Sequence, residues 1–287
     1  MPPKDPSILQ IELMFTSLAK QVTISSFHPP GSLSQDLTKQ VEKATTTTFS
    51  IDTLSLIGFP MAAIEMWQRS IHSFLISASL TESSPLWSSV SGYYSSHYVM
   101  RAFAHLLGYF QLYSIGKIIE LQVGGKSYTC KIVSKNAKDR EHKLYWKVVK
   151  SHNLFLNNPF FTKNEDAPKN SDRGRSDISH RNRSNYLDLL NNFKHFQVLD
   201  DRFLKNRIQK ISCIELSDAP IPRMDKYPDL ENVQVVAYQR IVSFMSFLDE
   251  ILGGTSKFWN YNRRPSWAPK YLDYQVVKPE FIIIYKK

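Results

Sequence analysis

Eleven residues near the C-terminus, Lys257-Phe-Trp-Asn-Tyr-Asn-Arg-Arg-Pro-Ser-Trp267, interleave aromatic rings with cations. Rings stack on nucleobases while cations sit beside phosphates, so Arg263, Arg264 and Trp267 are candidate nucleic-acid contacts. The same composition equally suits a segment held onto the core by its own tryptophans. A second basic run bearing aromatic residues covers Lys135–Lys150 (KNAKDREHKLYWKVVK). A third stretch, polar and charged, contains Arg173, Arg175, His180, Arg181 and Arg183 within NEDAPKNSDRGRSDISHRNR. Arginines there suit phosphate oxygens, and Arg173 and Arg183 are assigned to nucleic acid on that ground. No P-loop, Rossmann glycine pattern, nucleophile elbow or paired zinc histidines occurs. Gly124-Gly125 reads as a hairpin turn and not as a phosphate cradle. No metal and no cofactor is expected.

The totals favour the same partner. The chain has 287 residues, with 36 Lys+Arg against 26 Asp+Glu and a formal charge of +10. Such an excess attracts polyanions, because cations that neutralise phosphates release condensed counterions. The alternative is a solvated basic surface that keeps the protein in solution. Hydrophobic residues make up 42% and aromatics 13%, enough to bury a sizeable core. Cys130 and Cys213 stand far apart and form neither a disulfide framework nor a zinc-spaced pair. They are read as small buried hydrophobes in a reducing compartment. The first residues, MPPKDPSILQIELMF, lack the order of a signal peptide, and no apolar run reaches the ~18 residues of a membrane span. A cytoplasmic location without membrane contact is expected.

These groups must be positioned by a mainly helical frame. Residues 1–54 read as an N-terminal segment, a boundary region or arm. Within it Gln10–Val22 forms a short helix or strand, and His28–Ser50 reads as loop with a short helix in between. Ile57, Met61, Ile64, Trp67, Ile71 and Leu75 recur at three- and four-residue steps and predict a helix from about Ser55. Pro60 is taken to sit early in it, where a missing amide costs little. The cluster Thr81–Pro85 breaks that helix, and a second one, rich in Tyr and Phe, follows from about Leu86 to Leu112. The period then changes to two: Ile118–Val123 and Lys126–Val133 predict a hairpin. Leu144–Val149 adds a strand or begins a helix. A helix is expected at Asn185–Phe196, a proline-rich loop at Asp218–Pro228, and an amphipathic helix at Asn232–Leu252 closed by Gly253-Gly254. Phe281–Tyr285 reads as a terminal strand.

The most specific string is Ser88–Gly108, SSVSGYYSSHYVMRAFAHLLG. Its small residues Ser91, Gly92, Ser95, Ser96, Ala102 and Ala104 permit close helix approach, and Tyr93, Tyr94, Tyr98 and Phe103 fill the space between. This string resembles the second core helix of HEPN domains. The matching elements are Tyr93-Tyr94, His97, Arg101-Ala102 and Leu106-Leu107-Gly108. The resemblance is specific at Ser88–Gly108 and looser at Arg173–Phe196, and it extends over about half the chain. It implies a mainly α fold, α+β overall: a HEPN-like helical bundle with a small insertion containing a β-hairpin. Residues 55–115 and 175–255 would form the core, 116–174 the insertion and 256–287 a C-terminal tail.

Many members of that family are ribonucleases that need no metal. They use an Arg, usually followed by a polar residue, and a His four to six residues later. The His moves a proton at the ribose hydroxyl or leaving oxygen, and the Arg offsets phosphate charge. Two overlapping matches occur. Arg175-Ser-Asp-Ile-Ser-His180 satisfies the spacing, and Arg173 lies seven residues before His180, on the same face if the segment is helical. Arg181-Asn182-Arg183-Ser-Asn-Tyr186 has the more family-like opening and leads directly into an apolar helix. Tyr186 then stands in the place of the His, and a phenol with a pKa near ~10 is a poor base at neutral pH. His97 and His105 are read as satisfied core histidines, and Arg101 as a structural ion pair or dimer contact. The expected function is RNA binding, with metal-independent endoribonuclease activity of a toxin or antiviral effector. The alternative is a catalytically silent HEPN-like subunit that binds RNA or scaffolds a complex. A homodimer, which would complete a composite site, or a protein partner is implied.

Overall fold

The computed structural model describes residues 5–21, 30–80, 84–124, 127–133, 141–155 and 228–263. The described chain is mainly helical, with a small four-stranded antiparallel sheet, an α-dominant α+β arrangement. Helices α1 (Pro6–Gln21) and α2 (Pro30–Lys43) precede strand β1 (Thr48–Ser50). Helices α3 (Thr53–Ser79) and α4 (Pro85–Leu106) lead into β2 (Tyr109–Leu112), β3 (Lys117–Gly124) and β4 (Ser127–Val133). Helix α5 (Glu141–Ser151) ends in a short 3-10 turn, Asn153–Phe155. After the intervening segment come α6 (Pro228–Leu252) and α7 (Lys257–Asn262). The chain divides into two units, one of Met1–Trp67, Met100–Val149 and Phe247–Arg264, the other of Gln68–Val99, Lys150–Ser246 and Pro265–Lys287.

In the first unit, the short helix expected within His28–Ser50 is the 14-residue α2, longer than a single turn or two. Pro30 opens that helix, where its missing amide is harmless, and Leu33, Leu37 and Val41 recur at four-residue steps and are buried. Helix α1 likewise buries Ile11, Met14 and Leu18, so both helices belong to a core. Helix α3 starts at an Asp52 cap, whose Oδ1 accepts from the Ser55 amide at 2.7 Å. That cap moves the start upstream, so Pro60 lies inside the helix and not in its first turn. The cost of a proline there is offset by dense packing, since Phe59, Met61, Ala62 and Ala63 are all buried.

The helix expected to run to Leu112 stops at Leu106, and Tyr109–Leu112 is a strand instead. Gly108 is the cause. It takes a φ of +84°, which glycine adopts without a Cβ penalty, and its carbonyl accepts from the Leu121 amide at 2.9 Å. The chain therefore turns straight into the sheet. Strand order is β1-β4-β3-β2, with Phe110 opposite Ile119 and Leu121 opposite Cys130. The predicted hairpin is present, closed by the pair Gly124↔Ser127. The sheet is larger than a hairpin insertion because β1, from the N-terminal region, pairs with β4. Leu144–Val149 is helical: Leu144, Tyr145, Trp146 and Val149 are buried while Lys147 is exposed.

Cys130, on strand β4, is fully buried, and loss of hydration pushes its thiol up to about 12 from a starting value of 9.0. The raised value means the folded state holds the proton more tightly than the unfolded chain. Stability from this group is complete below pH 9.0 and is lost as pH rises towards about 12. Across that window the wild type loses up to ~1.4 kcal/mol per pH unit more than Cys130→Ala. Parallel stability–pH curves for the two proteins, by urea denaturation between these limits, would contradict this.

In the second unit the α3–α4 seam is built from serines. Ser95 Oγ donates to the Ser70 carbonyl at 2.9 Å, and Ser77 Oγ donates to the Ser88 carbonyl at 2.6 Å. The two rungs are seven residues apart on each helix, and the numbers run oppositely, as an antiparallel pair requires. Small side chains let the backbones come close, and each hydroxyl is satisfied by the facing helix. Tyr93 is buried here with His97 stacked one turn on, the rings 6.2 Å apart at 6°. Phe74 meets Tyr238 of α6 at 5.5 Å, and Arg240 on the same helix is fully buried.

Candidate functional site

Arg173, Arg175, His180, Arg181, Asn182, Arg183, Tyr186, Arg264 and Trp267 lie outside the described residues, as do the helix expected at Asn185–Phe196 and the strand at Phe281–Tyr285. Arg263 is described. Helix α6 ends at Leu252, and Gly253 and Gly254, with φ of 52° and 76°, turn the chain back. Ser256 caps α7, its Oγ accepting from the Trp259 amide at 3.2 Å. That reversal brings Asp249 against the returning segment. Its Oδ1 accepts from Trp259 Nε1 at 2.7 Å and its Oδ2 pairs with the Arg263 guanidinium. Trp259 is fully buried and meets Trp67 with ring centroids 5.2 Å apart. The first half of the aromatic–basic segment is thus anchored to the core by its own tryptophan, while Tyr261 stays exposed.

A polar cluster lies in the first unit where α4 meets the sheet. Arg101 Nε donates to His105 Nε2 at 3.4 Å, and His105 Nδ1 lies 2.9 Å from the Tyr109 carbonyl. A carbonyl only accepts and an arginine Nε only donates. His105 is therefore the neutral Nδ1–H tautomer, with its Nε2 lone pair turned to Arg101. Both ring nitrogens are engaged, and the ring is buried between Phe110, stacked at 4.7 Å, and Tyr145, edge-on at 5.6 Å. The Arg101 guanidinium lies over two rings, Tyr145 at 5.5 Å and Tyr113 at 5.6 Å. Nearby, the Tyr109 hydroxyl donates to Glu120 Oε1 at 2.6 Å. Burial first, and then that hydrogen bond, raises the Tyr109 phenol above its ordinary range.

This cluster holds a cation in a fixed position and offers no ring nitrogen of His105 for proton transfer. His105 is the satisfied core histidine its position on the aromatic helix implied, and Arg101 is structural through rings and a histidine. Sequence reasoning missed Tyr113, which it placed beyond a helix end. The signal was there in the Arg101–His105 spacing of one turn, followed by three aromatic residues in the next eight. Among the described residues no group of His, Cys, Asp and Glu could hold a metal, and no helix is long and apolar enough to cross a membrane. Comparison with protein-family models, curated proteins and solved structures finds no match to this chain.

Proposed function

We propose that this protein binds RNA through a HEPN-like helical core, and that Arg175 and His180 cleave the bound strand without a metal. The observation that carries the reading is the string Ser88–Gly108. It forms one helix, ended by Gly108, whose serines interlock with α3 and whose Tyr93 is buried, as the second core helix of such a bundle requires. The formal charge of +10 supports a polyanionic partner. In the chemistry proposed, His180 moves the proton of the attacking 2′-hydroxyl or of the leaving oxygen, and Arg175 offsets charge on the phosphate. A location in the cytoplasm and a two-fold dimer, which would bring two such pairs together, belong to the same reading.

The test is incubation of the purified protein with end-labelled total RNA in EDTA. Cleavage is expected, reduced by about 100-fold or more in His180→Ala and unchanged in Tyr186→Phe. Cleavage that survives His180→Ala would remove this site assignment. RNA retained but never cut would instead identify a binding subunit, with Tyr186 standing where the family's histidine acts.

A further inference from the structure

We infer that Tyr113 is a base-stacking platform for single-stranded RNA, an inference that rests on the RNA-binding reading above and gives it a place on the surface. Tyr113 begins the turn between β2 and β3 and is 47% exposed, although it is a large aromatic residue. Its ring lies against the Arg101 guanidinium at 5.6 Å. That guanidinium is in turn held by His105 and by the fully buried Tyr145 ring. The platform is thus fixed before any ligand arrives, and a base that stacks on it orders little of the protein. The turn itself is anchored, since Ser114 Oγ lies 3.2 Å from Thr38 Oγ on α2 and Leu112 pairs with Lys117 across the ladder. Lys117, exposed, closes the turn, and Lys39, also exposed, follows Thr38 on α2; such cations suit the phosphates that flank a stacked base.

Helix α2 also carries exposed Asp36 and Glu42, so the local cation excess is small. Stacking, more than phosphate neutralisation, is therefore the main contribution here. An aromatic ring with guanidinium behind it has no pattern of donors and acceptors aimed at base edges. The site accordingly prefers unpaired bases over duplex and shows little sequence preference.

Fluorescence anisotropy of a labelled oligouridine and of a hairpin duplex, with full-length protein, tests this. Wild type is expected to prefer the single strand. Tyr113→Ala should weaken that binding about 10-fold with an unchanged melting temperature, and Tyr113→Phe should restore it. Lys117→Ala should lower the slope of log K against log salt by about one without abolishing binding. Wild-type binding that Tyr113→Ala leaves intact would overturn the platform and leave the RNA reading standing. No binding by wild type would overturn both.

Discussion

Replacing Trp259 by alanine is expected to destabilise the protein by about 3–5 kcal/mol. The indole is fully buried, and its ring lies against Trp67. Truncation removes that burial and opens a cavity where Trp67 loses its neighbour. The N–H is spent as well: Asp249 Oδ1 accepts from Trp259 Nε1, so the variant takes one donor from a carboxylate that also holds Arg263. Trp259→Phe separates the contributions, since it keeps much of the ring and loses only the donor. Its cost should be the smaller, about 1–3 kcal/mol. Urea denaturation of the three proteins measures both. A Trp259→Ala cost below ~1 kcal/mol would show that α7 does not anchor the segment to the core.

The second large effect is at Gly108. A Cβ there would lie 2.7 Å from Leu121 Cβ and 2.8 Å from Gln10 Nε2, at a φ of +84°. The Gln10 amide is the end of a flexible chain and can withdraw. Leu121 Cβ is fixed to strand β3 and cannot, and the left-handed backbone costs an L-residue a further ~1–2 kcal/mol. Gly108→Ala should therefore destabilise by about 3 kcal/mol. Gly58 is the matched comparison. Its added Cβ would come as close as 2.6 Å, but to Leu33 Cδ1, the far end of a side chain, within a regular helix. Relief by Leu33, together with the ~1 kcal/mol by which alanine outdoes glycine in a helix, makes Gly58→Ala nearly neutral. If the two variants were equally costly, the role given to Gly108 in ending α4 would be wrong.

Much of the frame could be read from residue spacing. The α3 stripe from Ile57 to Leu75, the hairpin around Gly124 and the cap at Gly253-Gly254 follow from periods and turn chemistry that act over a few residues. What spacing missed came from contacts distant in sequence. Tyr109–Leu112 carries the same residue types as the helix before it, and pairing with β3 decides that it is strand. Helix α2 has only three apolar anchors, and its buried face became visible once a core existed for it to cover. Candidate-site legibility divides along the same line. His105 was legible as a core position from its place on the aromatic helix, while the rings over which Arg101 lies, Tyr113 and Tyr145, come from other elements. Tyr113 was missed because its guanidinium neighbour sits twelve residues away, beyond the turn at Gly108, so that the run of aromatic residues after His105 was the one local signal for it. Arg263 could be recognised as a cation in an aromatic setting, but Asp249, its carboxylate partner, meets it only through the reversal at Gly253-Gly254.

RNA is the proposed partner of this basic chain, and binding to a labelled single-stranded RNA across a salt series tests that proposal most directly. Filter retention or anisotropy between about 50 mM and 200 mM salt suffices. Measurable binding is expected at the low end, with a linear fall of log K with log salt and a slope of magnitude well above one, as several neutralised phosphates require. Failure to bind at low salt, or an affinity indifferent to salt, would contradict it.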